Sequence, residues 1–216
     1  MLYTSFLVIT LLCLLLLYKS SDGHKRVLLY SAIWISLVSL LALADYFQVV
    51  DTFPPRFIVV VLGNLVYIVL VFQLLKDKKI SFNLAMLIHG LRIPVEFVLY
   101  YLFIQNKVPE IMTFKGWNYD IISGISALLL LMVSLFSKTK IPNGLLLVWN
   151  LIGLILLIII VTIAILSAPL PFQKLAFDQP NTAVLEFPYI LLPSFIVPVV
   201  FLMHLISIRQ LINKSK

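Results

Sequence analysis

Long apolar runs alternate with short polar or charged segments along the whole chain. Seven runs are bounded by charges or by Pro and Gly, at 2–18, 27–49, 57–75, 80–104, 119–137, 142–168 and 187–208. A helix needs about 20 apolar residues to cross a hydrocarbon core about 30 Å thick. Apolar residues do not alternate with polar ones, so helices are favoured over the strands of a β-barrel. The pattern predicts an all-α membrane protein, a single seven-helix transmembrane bundle over residues 1–216.

The cations between the predicted spans indicate how the bundle is oriented, because Lys and Arg accumulate in cytoplasmic loops. Eleven cations fall on one side of the predicted spans: Lys19, Lys25, Arg26, Lys76, Lys78, Lys79, Lys138, Lys140, Arg209, Lys214 and Lys216. The other side has four, with six acidic residues: Arg56, Lys107, Lys115 and Lys174, with Asp45, Asp51, Glu110, Asp120, Asp178 and Glu186. We therefore predict that the N-terminus lies outside and the C-terminus in the cytoplasm, and we expect Asp45 and Asp120 to be hydrated at outer helix ends.

Composition places most of the surface in lipid. The chain of 216 residues is 62% hydrophobic and only 12% charged, and this leaves no room for a separate soluble domain. The net charge of +7 comes from loop cations and not from one basic surface, so nucleic-acid binding is not expected. The lipid bilayer is the predicted partner, most simply a plasma (inner) membrane, and the sequence identifies no protein partner.

Ionisable residues inside a membrane span are rare and usually face a protein interior or a wet cavity. Span 4 contains three of them, His89, Arg92 and Glu96, at the spacing i, i+3 and i+7. At 100° per residue they lie within about 60° of arc on one helix face, and Tyr100 extends the same stripe. Arg92 and Glu96 are four residues apart and are expected to form a pair. The stripe indicates either a ligand or proton site or a polar contact that joins helices.

Prolines predict that two of the spans are irregular. Pro94 in span 4 has no N–H and should kink the helix, leaving the carbonyl of Gly90 without its usual donor. Span 7 contains Pro188, Pro193 and Pro198. We expect a bent or locally unwound helix there, with neighbouring side chains bonding the released carbonyls.

Further polar residues lie at defined depths in other spans. His204 in span 7 has a depth comparable to that of His89, so the two are weak candidates for metal ligands if their helices are neighbours. The single cysteine, Cys13, excludes a multi-cysteine metal site, and no cofactor is predicted. Asn64 and Asn150 add amide groups that can bind a ligand or join helices.

The sequence leaves three functions open. The first is a small membrane protein that binds or transports a small solute, such as an anion, or a proton through an outward-facing polar cavity lined by helices 4 and 7. Its candidate ligand-binding or proton-carrying residues are His89, Arg92, Glu96, His204, Asn64, Asn150 and Tyr100. The second is an intramembrane enzyme acting on a lipid-like substrate, for which no complete catalytic set is present. The third is a non-catalytic membrane subunit or scaffold.

Overall fold

The computed structural model of the chain describes residues 2–137 and 141–214. Lys138, Lys140 and Lys216, three of the predicted cytoplasmic cations, lie outside the described residues, as does the side chain of Lys214. Within the described part the regular structure is helical, and its α-helices are α1 Leu2–Ser20, α2 Lys25–Leu43, α3 Ile58–Leu75, α4 Phe82–Gly90, α5 Arg92–Ile104, α6 Asp120–Phe136, α7 Asn143–Ser167 and α8 Val197–Lys214.

Six helices of the described chain are long and apolar enough to cross a membrane. They are α1, α2, α3, the pair α4 and α5 taken together as Phe82–Ile104, α7, and α8 with the turn before it as Leu192–Asn213. Helix α6 is also apolar but has 17 residues. The structure therefore supports a multi-pass membrane bundle with six long helices, and a seventh crossing by α6 remains a prediction.

Two of these helices form the centre of the bundle. Half of the Phe82–Ile104 span and half of the Leu192–Asn213 span are buried within the protein, against 22% to 28% for the other four. Helix α4 packs on α1 and α6, and α8 packs on α3 and α7. The central position explains why α4, α5 and α8 hold polar residues that a lipid-facing helix would not tolerate.

The predicted irregularities occur at the prolines. The fourth span is interrupted at Leu91, between α4 and α5, and the Val95 N–H bonds the Leu91 carbonyl at 3.2 Å as α5 begins. In the seventh span, Leu192–Ile196 forms a π-helical turn before α8. The predicted start of that span at residue 187 was too early, because the helix itself begins only at this turn.

Side chains from α2 and α3 bond two carbonyls of the π-helical turn. The carbonyl of Ser194 would normally accept from residue 198, but Pro198 has no N–H, and the Trp34 Nε1–H donates to it instead at 2.8 Å. In an α-helix the carbonyl of Pro193 would accept from the N–H of Val197, but that N–H donates to the carbonyl of Leu192 instead. Asn64 Nδ2 therefore donates to the Pro193 carbonyl, at 2.8 Å. Neighbouring helices thus satisfy the released carbonyls, as expected within a membrane.

The second span ends earlier than predicted. Its apolar run continues to Val49, but α2 stops at Leu43 and a 3₁₀ turn follows at Tyr46–Gln48. Asp45 between them has a φ of 54°, a left-handed conformation that ends the helix. Asp45 is exposed, as expected for a hydrated helix end, and the outward position of that end stays a prediction.

Candidate functional site

Arg92 is the central residue of a buried charged cluster. It begins α5, and the whole residue is 4% exposed. Its Nη1 lies 3.3 Å from Oδ1 of Asp120, the first residue of α6. Its Nη2 lies 2.9 Å from Nε2 of His204 in α8. One guanidinium therefore joins three helices at the centre of the bundle.

The contact with Arg92 determines which nitrogen of His204 carries the hydrogen. A guanidinium only donates hydrogen bonds, so the Nε2 atom of His204 accepts, and its Nδ1 carries the hydrogen. Nδ1–H donates to Asn150 Oδ1 at 2.9 Å, and Asn150 Nδ2 donates to the carbonyl of Leu146 at 2.8 Å. His204 is thus a neutral imidazole held between a charged donor and an amide acceptor.

Glu96 lies one turn further along α5 and has a different partner. Its Oε1 accepts from Asn118 Nδ2 at 2.6 Å, and Asn118 Oδ1 accepts from the backbone N–H of Asp120 at 3.0 Å. The other oxygen, Oε2, is buried without a hydrogen-bond partner among the described residues. The predicted pairing of Arg92 with Glu96 is wrong in detail, because the contact ion pair of Arg92 is made with Asp120.

His89 packs beside the cluster without a hydrogen bond. Its ring stacks on that of His204 with 4.1 Å between centroids and meets the edge of Trp149 at 5.2 Å. Both ring nitrogens of His89 are buried, and neither has a partner in the described chain. Among the described residues, no group of three or more His, Cys, Asp or Glu side chains is placed to hold a metal ion.

The comparisons with known proteins give one match. A family model described as "Domain of unknown function (DUF8737)" matches residues 53–212, which is 160 of the 216 residues. The chain belongs to this family. The matched region contains α3 to α7, most of α8 and every residue of the charged cluster. No curated protein and no solved structure matches the chain.

Five of the seven candidate residues lie together in this DUF8737 member: His89, Arg92, Glu96, Asn150 and His204. The other two lie elsewhere. Asn64 bonds the π-helical turn, as described above. Tyr100 lies towards the C-terminal end of α5, where its ring packs against Phe114 at 5.0 Å and the ammonium of Lys115 lies 4.8 Å from its centroid.

Two residues of the cluster were missed by the sequence reasoning. Asp120 was expected to be hydrated, but it is 7% exposed because Arg92 draws it into the bundle. Asn118 is 1% exposed and was not among the predicted site residues. The sequence signal for both residues is the alternation of aromatic and polar residues over 117–120. The aromatic residues Trp117 and Tyr119 are 60% and 55% exposed, and the polar residues between and after them are buried.

Two cavities lie at opposite ends of the bundle. A cavity of about 680 Å³ lies between the ends of α1, α4, α6, α7 and α8, on the predicted cytoplasmic side, and is lined by polar residues that include Lys19, Lys79, Asn143, Gln210 and Asn150. A cavity of about 360 Å³ on the predicted outer side is lined mostly by apolar residues. The more polar of the two cavities lies among the predicted cytoplasmic helix ends, and a polar cavity that opens outward stays a prediction.

Proposed function

We propose that the protein carries protons across a membrane through the buried cluster, with Glu96 as the group that gains and loses the proton. The single observation that carries this proposal is the environment of Glu96. One carboxyl oxygen is fixed by Asn118, and the other is buried with no partner in the described chain. An oxygen with this environment is suited to hold a proton that can leave.

The charges of the cluster support the same role. Arg92 is compensated by Asp120, so an ionised Glu96 adds a negative charge that no contact cation neutralises. Within a membrane a buried uncompensated charge is strongly unfavourable, and a bound proton removes it. The pairing of Arg92 with Asp120 also favours a proton over an anionic solute, because Asp120 already compensates the charge of the guanidinium.

Transport requires that the cluster reach water on both sides. Asn150, which holds His204, lines the polar cavity on the predicted cytoplasmic side. Asn118, which holds Glu96, belongs to the loop before α6, where Trp117 and Tyr119 are exposed. Arg92 does not release its proton at physiological pH and donates to Nε2 of His204, so these two residues hold the cluster in place, and Glu96 is the group that exchanges the proton.

The membrane arrangement that fits this role has seven crossings, with α6 as the fifth. Its 17 residues extend about 26 Å at 1.5 Å per residue, which approaches the thickness of the hydrocarbon core. An odd number of crossings puts the two termini on opposite sides of the membrane. The loop charges then favour an N-terminus outside and a C-terminus in the cytoplasm. The protein is then a multi-pass protein of the plasma (inner) membrane.

Proton flux into vesicles tests the proposal. Purified protein is reconstituted in liposomes that contain a pH-sensitive dye, and a potassium diffusion potential drives proton entry. Wild-type protein should acidify the lumen faster than empty liposomes do, and Glu96→Gln should reduce the rate to that of empty liposomes. Glu110→Gln is the matched control, because Glu110 is exposed in an outer loop.

Two outcomes would contradict the proposal. One is a wild-type flux equal to that of empty liposomes at several membrane potentials. The other is a Glu96→Gln variant that elutes as a folded protein and conducts like the wild type. In either case Glu96 does not carry the proton.

A further inference from the structure

The apolar cavity on the predicted outer side lies apart from the charged cluster. It lies between α3, α5 and α7 and over the proline-rich start of α8, and its volume is about 360 Å³. This is at the lower end of the range of about 300–1,000 Å³ that is typical of ligand pockets. A cavity of this size is large enough to hold part of a ligand.

The outer end of the cavity is closed by two loops. Val108 and Met112 from the loop after α5, and Val184 from the loop before α8, line the cavity and are at most 8% exposed. The loops are tied together, because the carbonyl of Lys107 accepts from the N–H of Thr182 at 3.0 Å. Entry from the aqueous phase on that side is therefore blocked.

The cavity opens sideways, between α3 and α7. Both helices pack against α8 and flank it. The residues at this opening are exposed on the outside of the bundle, with Val61 and Leu65 on α3 at 44% and 59% and Ile158 on α7 at 51%. In a membrane protein such a surface faces lipid, so the ligand reaches the cavity from within the bilayer.

The lining determines the chemistry of the ligand. No charged side chain lines the cavity within the described chain. The amide groups of two lining residues already donate to backbone carbonyls, Asn64 to Pro193 and Asn181 to Ala164. The acyl chain of a phospholipid carries no charge and suits this lining, and a phospholipid of the surrounding bilayer can keep its headgroup outside the cavity.

We infer that this lateral cavity binds one acyl chain of a membrane phospholipid. The inference does not depend on proton transport, since none of Arg92, Glu96 and His204 lines the cavity. The bound chain contacts Pro193 and Pro198, so it packs against the irregular start of α8 and restrains that helix. The protein thus has an acyl-chain site built between α3 and α7.

Native mass spectrometry in a mild detergent tests this site. The wild-type protein should retain one phospholipid per chain. Ala164→Phe fills the cavity and should abolish retention, because Ala164 is part of its lining. Ala32→Phe is the matched control, since Ala32 is exposed on α2 outside the cavity, and this variant should retain the lipid.

A second measurement does not depend on the folding of a variant. A phospholipid with a photoreactive group at the end of one acyl chain, added to wild-type protein, should label 60–68 in α3 and 157–165 in α7. Labelling spread evenly over α1 and α2 would overturn the inference. Wild-type protein that carries no lipid, or that carries a free fatty acid instead, would also overturn it.

Discussion

Replacement of Asp120 by Asn is the sharpest test of the charged cluster. Asp120 lies 3.3 Å from Arg92, and the two residues are 7% and 4% exposed. The substitution keeps the shape of the side chain but leaves the guanidinium without its counter-charge. Breaking a buried pair in this way costs about 3–5 kcal/mol. For a chain of this size each kcal/mol shifts Tm by roughly 2–4 °C, so Tm should fall by roughly 6–20 °C.

Cys13 provides the assay. It is the only cysteine and is completely buried in α1, so a dye that fluoresces on reaction with a thiol reports unfolding at one defined position. The matched control is Asp45→Asn, at an exposed carboxylate just after α2. Surface substitutions usually change stability by less than about 0.5 kcal/mol, so this variant should melt like the wild type.

A double variant separates the loss of charge from other effects of the substitution. Arg92→Met combined with Asp120→Asn removes both charges, and its Tm should lie above that of Asp120→Asn alone. The reasoning would be refuted if Asp120→Asn melted with the Asp45→Asn control. It would also be refuted if the double variant melted below Asp120→Asn, because no unpaired charge would then explain the loss.

Two further predictions use the same thiol assay. A Cβ at Gly153 would lie 2.6 Å from Cε1 of His204, so Gly153→Ala should destabilise the protein by about 1–3 kcal/mol. The control is Gly144→Ala, where a Cβ would meet no atom within 4 Å, and equal melting temperatures of the two variants would show that the His204 ring moves freely. Trp34→Phe should destabilise the protein by about 1–3 kcal/mol, because the Ser194 carbonyl in the π-helical turn loses its hydrogen-bond donor. The control is Trp117→Phe at an exposed position, and equal Tm values of the two variants would argue against that hydrogen bond.

Much of the site could be predicted from local spacing. The interval between His89, Arg92 and Glu96 places them on one face of a helix, and the prolines mark where the fourth and seventh spans become irregular. These features depend only on residues close in sequence. The contact between the fourth and seventh spans could not be derived in this way. Which helices are neighbours depends on their packing, and the spacing of residues along one sequence does not reveal it.

The role of Asp120 illustrates the same limit. A carboxylate at the start of a helix, next to Trp and Tyr, fits a hydrated membrane boundary as well as a buried pair. Only the position of α6 against α5, with Arg92 opposite its first residue, decides between them. The expected pair of Arg92 and Glu96 was based on their spacing along one helix. In the structure the guanidinium of Arg92 instead lies 3.3 Å from Asp120, on the neighbouring helix α6.

The charged cluster is hard to explain as a mere attachment between helices. Helices α2 and α3 associate in this same bundle through neutral groups: Ser31 and Tyr67 share a hydrogen bond of 2.8 Å, and the ring of Trp34 packs directly over Gly63. Small residues and uncharged hydrogen bonds are sufficient to join helices in lipid. Within the described chain, only one oxygen of Glu96 makes a structural contact, with Asn118, and the free oxygen makes no contact that joins helices. The free oxygen of this buried carboxyl supports the proposed proton transfer, and the vesicle assay with Glu96→Gln separates that role from a purely structural one.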